Sequence, residues 1–203
     1  PFECGWAGFK VKKKWRLPLE VQLHTNPFSP YFSGFLNNIR KIIAHKVLRH
    51  ADGVRVVTEN LKSKISNFTS ASIRVLPIYV DIKKIEDAHA AFDLHTRYPW
   101  HFVILAVSRL APEKNLAFAL VVLARVRERF PDTGLVIVGS GPEENRLKLL
   151  VRKLKLEGVV EFAGWQDSLA SFYKTANAFI QTSLYEGYGL SLVEAGLSGL
   201  PVL

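Results

Sequence analysis

Apolar residues from His101 onward fall into two alternating rhythms. The segments HFVILAVS, TGLVIVG, VVEFAG and AFIQTS are short apolar runs of strand length, and PVL opens another. Between them NLAFALVVLARVRERF, EENRLKLLVRKLKL, SLASFYKTA and LSLVEAGLS repeat apolar residues at helical spacing. Continuous apolar strands separated by helices predict a parallel sheet covered on both faces. Leu116 to Val126 is apolar all round and predicts a core helix. The first third carries the same alternation. LEVQLH (19–24), VRVVT (54–58) and SIRVLP read as strands, and Thr58 is placed to cap a helix from Glu59. IRKIIAHKVLRHA (39–51) reads as an amphipathic helix with Ile39, Ile42, Ile43, Val47 and Leu48 on one face. From Ile78 to Trp100 the pattern weakens into polar residues with Asp81, Asp87, Asp93, Arg97 and Pro99, which predicts a boundary.

Charge divides the chain in the same place. Residues 1–80 hold 13 Lys/Arg against 4 Asp/Glu, a net +9, whereas residues 81–203 hold 14 of each. The basic part suits an anionic partner or a solvated basic surface. No zinc-finger, RRM-like or helix-turn-helix pattern points to nucleic acid. Clustered Lys12, Lys13, Lys14, Arg16, Arg40, Lys41, Lys46 and Arg49 make a peripheral contact with an anionic membrane the main alternative to solvent. The longest uninterrupted apolar run, Leu116 to Ala124, is nine residues, against the ~20 that span a bilayer. A single cysteine, Cys4, forms no internal disulfide and no metal cluster, and fits a reducing compartment. The chain begins at Pro1 and contains no methionine, as expected of a piece of a longer chain.

In a parallel sheet ligands meet the turns at the carboxyl ends of the strands. RLAPEKN sets Arg109 and Lys114 before a helix N-terminus, where free N–H groups and the helix dipole also favour a diphosphate; an exposed polar loop is the plain alternative. GSGPEEN, with Pro142 near the start of its helix, looks superficially like a dinucleotide fingerprint. It lacks the third glycine, and no acidic ribose reader ends the next strand, so hydride transfer is a poor fit. LYEGYGLSLVE sets Glu186 and Glu194 on either side of a glycine turn. Gly187 and Gly189 admit close backbone approach, and the amides of residues 189–191 open the next helix. Carboxylates accept hydrogen bonds from sugar hydroxyls, so two acids flanking a phosphate-binding turn suit a nucleotide-sugar. Trp165 reads as packing, in a loop at residues 164–166 that would border the base. His45, His50, His89, His95 and His101 read as surface or packing residues.

The ordered segments SRLAPEKNL, LVIVGSGPE, VEFAGW and YEGYGLSLVEAGLSGLPVL resemble the C-terminal domain of the retaining, family-four glycosyltransferases of GT-B fold, whose signature is two glutamates separated by seven residues. ADGVRVVTENLKSKI and VLPIYVD resemble the end of their N-terminal domain and the crossover. The resemblance implies an α/β chain of GT-B type with two Rossmann-like domains. Residues 1–78 would be the later part of the acceptor-side N-terminal domain, 79–100 the crossover, and 101–203 the nucleotide-sugar-binding domain without its final elements. It implies hexosyl transfer from a nucleoside-diphosphate sugar, such as a UDP- or GDP-hexose, to an acceptor hydroxyl with retention. No cofactor and no metal are implied.

In that resemblance Arg109 and Lys114 neutralise the donor diphosphate in place of a metal ion, with the amides of Gly189 and Leu190. Glu186, Gly187 and Tyr188 face the transferred sugar, and Glu194 holds the ribose. His24 and Glu186 lie at the reacting centre. Two positions depart from the pattern: Thr25 follows His24 where aspartate is frequent, and Tyr188 stands where phenylalanine is common. The implied partners are the donor and a sugar or lipid-linked acceptor, with no nucleic acid. The implied location is cytoplasmic, with membrane association on the cytoplasmic face. A GT-B-fold nucleotide-sugar epimerase and a non-catalytic nucleotide-sugar or partner-binding module are the rival functions.

Overall fold

The apolar runs of the first third form three parallel strands, β1 (Glu20–Leu23), β2 (Gly53–Val56) and β3 (Ser72–Val75), side by side in chain order. The computed structural model describes residues 2–30 and 32–203. By internal contacts the chain divides into two units, 1–79 with 186–188, and 80–185 with 189–203.

In the first unit α1 (Phe2–Trp15), α2 (Phe35–Arg49) and α3 (Glu59–Ile65) accompany the three strands. Thr58 caps α3, its hydroxyl accepting from the Leu61 N–H at 3.1 Å. The periodicity reading missed α1. Its apolar residues Phe2, Trp6 and Phe9 do recur at helical spacing, but Gly5 and Gly8 interrupt the pattern. Those glycines have a packing reason. A Cβ at Gly5 would sit 3.3 Å from Val47 Cγ1 of α2, and one at Gly8 would sit 3.0 Å from Leu19 Cδ1. Asp52 ties the C-terminal end of α1 to the entry of β1, accepting from Lys12 Nζ at 2.5 Å and the Leu19 N–H at 2.6 Å. Those two hydrogen bonds hold its carboxyl below the ordinary aspartate range.

The expected apolar face of α2 is corrected. Val47 and Leu48 are buried with Ala44, but Ile39 and Ile42 are exposed, as are Phe35 and Leu36. Burial is thus confined to the second half of the helix.

The second unit holds the larger sheet: β4 (Phe102–Val107), β5 (Thr133–Val138), β6 (Val160–Gly164) and β7 (Ala178–Phe179), parallel, in the spatial order β6-β5-β4-β7. Both faces are covered, as the apolar runs predict. Ile104, Ala106, Leu135 and Ile137 point into one cluster with α6 (Leu116–Arg129) and α7 (Glu144–Lys153). Val103, Leu105, Val136 and Val138 point into the other with residues of α8 (Ala170–Thr175) and α9 (Leu190–Leu197). The short helices α4 (Ile82–Glu86) and α5 (Leu94–Arg97) precede β4 in the segment where the pattern weakened. Helix α6 is not apolar all round in its setting: Leu116, Ala119, Leu120 and Leu123 are buried, whereas Phe118 and Val121 are exposed.

Two contacts show how tightly the second unit is specified. Trp100 stacks on Tyr98, donates from Nε1 to the Gly158 carbonyl at 3.2 Å, and lies flat on Gly134 of β5. The strand AFIQTS is shorter than read, because only two of its residues pair as strand. Backbone bonds to β4 flank it, from the Asn177 N–H to the Val103 carbonyl at 2.9 Å and from the Ile180 N–H to the Leu105 carbonyl at 2.8 Å, and Asn177 Oδ1 accepts from the Val103 N–H at 2.7 Å. PVL does continue the sheet: Val202 bridges Phe179 in parallel.

Candidate functional site

The chain leaves β4 for β5 and β6 on one side, then returns to place β7 on the other side of β4. The strand order therefore reverses between β4 and β7, and the crevice beyond the carboxyl ends of strands at such a reversal is where open parallel sheets bind ligands. The turns that follow these two strands are the ones carrying the predicted charge and glycine.

After β4 the chain runs through Arg109 into a 3₁₀ turn at Pro112–Lys114. Asn115 then adopts left-handed backbone, φ 49°, before α6 begins. Asparagine tolerates that conformation better than most residues, which lets the turn close without a glycine. The Arg109 guanidinium pairs with Glu113 and remains largely exposed, while the Glu113 carboxylate is mostly shielded.

After β7 comes the second turn, and the two are bonded together. The Thr182 hydroxyl lies 3.0 Å from the carbonyls of Lys114 and Asn115, to either of which it can donate, and the Leu184 N–H donates to the Glu113 carbonyl at 2.8 Å. The backbone that positions Arg109 and Lys114 is thereby fixed to the backbone that leads into residues 185–189. Gly189 closes that turn in left-handed conformation, φ 78°, as N-cap of α9, so a side chain there would be strained. The Leu190 amide belongs to the first turn of α9, whose leading N–H groups have no partner within the helix.

Glu194 lies one turn into α9, and Tyr173 of α8 donates from its hydroxyl to Glu194 Oε2 at 3.0 Å. Burial, and then the neighbouring Glu194 charge, push the Tyr173 phenol far above its ordinary value, so the hydroxyl keeps its proton.

Glu186, Gly187 and Tyr188 group with the first unit, as does His24. His24 is exposed, one residue past β1. A Cβ at Gly187 would come 2.7 Å from the His24 carbonyl oxygen, so glycine is what this approach permits. Tyr188 packs partly buried against the first unit's core.

The glycines of GSGPEEN have a structural explanation. A Cβ at Gly139 would lie 2.0 Å from the Ser108 carbonyl oxygen, and one at Gly141 would lie 2.4 Å from that of Leu110. They let this turn pack on the turn after β4. Pro142 stands just ahead of Glu143, the N-cap of α7. Trp165 corrects the packing expectation, being 75% exposed.

Four residues at this end of the sheet escaped the sequence reading: Glu113, Tyr173, Thr182 and Gln181. Glu113 lies four residues after Arg109, a spacing that could have suggested the pair. Nothing in the sequence pairs Tyr173 with Glu194. Ser108 Oγ and Gln181 Oε1, beyond the ends of the adjacent strands β4 and β7, are buried and find no hydrogen-bond partner in the protein. No group of three or more metal-binding side chains occurs among the described residues. Nor is any described helix long and apolar enough to cross a membrane.

The profile of the glycosyl transferases group 1 family matches residues 95–203. An uncharacterized glycosyltransferase of Methanocaldococcus jannaschii is 31% identical over 96% of this chain and 49% of its own length. The alpha-monoglucosyldiacylglycerol synthase of Streptococcus pneumoniae is 27% identical over 100% of this chain and 49% of its own. The chain thus spans about half the length of the curated relatives it matches. Among solved structures, Anabaena HepE in complex with UDP and glucose superposes with a TM-score of 0.84 at 22% identity, covering 100% of this chain and 56% of that one. That likeness establishes the fold as the parallel α/β type of the GT-B transferases. With a profile match over more than half of its residues, the chain belongs to the glycosyl transferases group 1 family.

Proposed function

We propose that the protein moves a hexosyl unit from a nucleoside-diphosphate sugar to an acceptor hydroxyl, with retention of anomeric configuration and without a metal ion. The observation that carries this is the pair of bonded turns beyond β4 and β7, one with Arg109 and Lys114, the other leading into the Glu186–Glu194 segment. As the anomeric C–O bond breaks, positive charge develops on the sugar and negative charge on the departing diphosphate. Arg109, Lys114 and the amides of Gly189 and Leu190 are assigned to the departing charge. Glu194 is assigned to the ribose. Glu186, with Gly187 and Tyr188, is assigned to the sugar, and His24 to the reacting centre. The UDP and glucose bound by the HepE structure favour a UDP-hexose donor.

Release of nucleoside diphosphate from a panel of UDP- and GDP-hexoses, with the product anomer read by NMR, tests the proposal on the full chain. Turnover unaffected by a chelator and a product with the donor's anomeric configuration are expected. An inverted product overturns retention, and activity lost to chelator but restored by a divalent cation overturns the metal-free assignment.

A lipid-linked acceptor is favoured by the first unit and by the Streptococcus relative, an alpha-monoglucosyldiacylglycerol synthase. An open cavity of about 790 Å³ runs along α1, lined by Lys10, Lys12, Lys13, Arg16 and Lys46 beside Trp6. The exposed Phe35, Leu36, Ile39 and Ile42 of α2 add apolar side chains. Basic and apolar groups together suit the surface of an anionic bilayer on the cytoplasmic side. Co-sedimentation with phosphatidylglycerol vesicles but not with phosphatidylcholine vesicles is expected, and equal binding to both would overturn the electrostatic part.

A further inference from the structure

Tyr173 is held from two sides within the second unit. The residue is 4% exposed, and its ring lies 6.1 Å, centroid to centroid, from that of Phe179 of β7. Its helix, α8, is bonded to the segment that precedes β4. Ser171 Oγ accepts from the Ala91 N–H at 2.8 Å, Thr175 Oγ1 accepts from the Leu94 N–H at 3.1 Å, and Lys174 Nζ donates to the Glu86 carbonyl at 2.8 Å. The Thr175 hydroxyl in turn donates to the Ser171 carbonyl at 2.6 Å. A side chain fixed this firmly offers its hydroxyl at one place. There it meets Glu194 Oε2 at 3.0 Å.

A glutamate on a helix keeps several rotamers unless something selects one. Occupying one carboxylate oxygen selects the orientation of the whole group and leaves the other oxygen, with its lone pairs, to accept from a ligand. A buried phenol suits the task because it stays protonated across the working pH range and carries no charge of its own.

We infer that Tyr173 is the positioning residue for Glu194, orienting its carboxylate to accept hydrogen bonds from the ribose hydroxyls of the donor nucleotide. The inference rests on the assignment of Glu194 to the ribose. Tyr173 itself touches no ligand. Its removal therefore lowers discrimination for the ribose hydroxyls rather than affinity for the diphosphate.

The test is calorimetric binding of UDP and of 2′,3′-dideoxy-UDP to the full chain as wild type, Y173F, E194A and the double variant. Wild type is expected to favour UDP, and E194A to lose that preference. Y173F is expected to bind UDP about tenfold more weakly, the usual scale for one charge-assisted hydrogen bond. It should bind dideoxy-UDP like wild type, and add nothing in the E194A background. If E194A keeps the wild-type preference, the ribose assignment fails and the inference with it. If E194A loses the preference but Y173F does not, or Y173F weakens both ligands equally, the assignment stands and Tyr173 is not its positioning residue. Should Y173F not fold, 3-fluorotyrosine at position 173 keeps the ring and sharpens the donor. An altered UDP preference then supports the inference, and a wild-type preference overturns it.

Discussion

Arg109→Ala should separate the chemistry of the site from its stability. The arginine pairs with Glu113 four residues on, with 69% of its side chain exposed. Solvent screens such a pair, so its loss costs at most about 1 kcal/mol, a melting-point change of roughly 4 °C or less for a chain of this size. If the guanidinium meets the charge that develops on the departing diphosphate, its loss costs about 3 kcal/mol in the transition state, a factor of about 100 to 1,000 in kcat. The two magnitudes differ enough to be told apart. The assay is nucleoside diphosphate release from the preferred donor at saturation, run beside thermal unfolding of the same samples. Arg109→Lys is the control. It keeps the charge and loses the planar fork, so an intermediate loss of about tenfold is expected. A kcat within about threefold of wild type in the alanine variant would refute the assignment of Arg109 to the diphosphate, since a threefold change is about 0.7 kcal/mol, far below the ~3 kcal/mol expected of one such donor. A large fall in melting temperature that accounts for the lost activity would refute the claim that the residue is dispensable for folding.

Three further outcomes follow from the packing and the charges. Gly134→Ala sets a Cβ 2.0 Å from two atoms of the Trp100 ring, an overlap expected to cost about 3 kcal/mol and to lower the melting temperature by roughly 6–12 °C; an unchanged melting temperature would refute the Trp100 seat. Asp52 has its pKa lowered by Lys12 and the Leu19 N–H. It therefore stabilises the fold above the ordinary aspartate pKa, and that contribution is lost as pH falls through the lower folded value. Asp52→Asn should melt below wild type at pH 7, with the gap closing below about pH 4, and a gap that persists at acid pH would contradict the linkage. Ser108→Ala removes a buried hydroxyl without a partner, so chemical denaturation should show equal stability or a gain of up to about 1 kcal/mol; a loss would mean that the hydroxyl is bonded in solution.

The larger sheet was legible because its strands are buried on both faces, and a continuous apolar run such as VILAV has few other places to go. The ends of elements were less so. The strand at Ala178 is short, and beyond it Thr182 turns its hydroxyl to the backbone after β4, a long-range bond invisible to local pattern. Helix α1 was missed for the opposite reason. Its glycines weaken helical propensity locally, yet their absence of side chain lets the helix lie against Val47 and Leu19. Half of α2 misled in turn: Ile39 and Ile42 have the spacing of a buried face without being buried. Spacing reports which residues share a face, and only the neighbouring element determines whether that face is covered.

Charge in turns was legible for a related reason. Arg109 and Lys114 stand in the turn after a strand, where a folded parallel sheet has no packing use for them, and Glu186 and Glu194 flank the glycine turn that opens α9. What the linear order withholds is which turns are neighbours. Four strands read in sequence allow any of four turns to form the site, and only the reversal of order between β4 and β7 selects two of them. The structure gives the two glutamates different physical settings. Glu194 is fixed by a helix and by a buried phenol within the second unit, whereas Glu186 lies in a loop segment that groups with the first. A carboxylate held in one orientation suits a part of the donor that every sugar nucleotide shares, which agrees with the proposed assignment of Glu194 to the ribose.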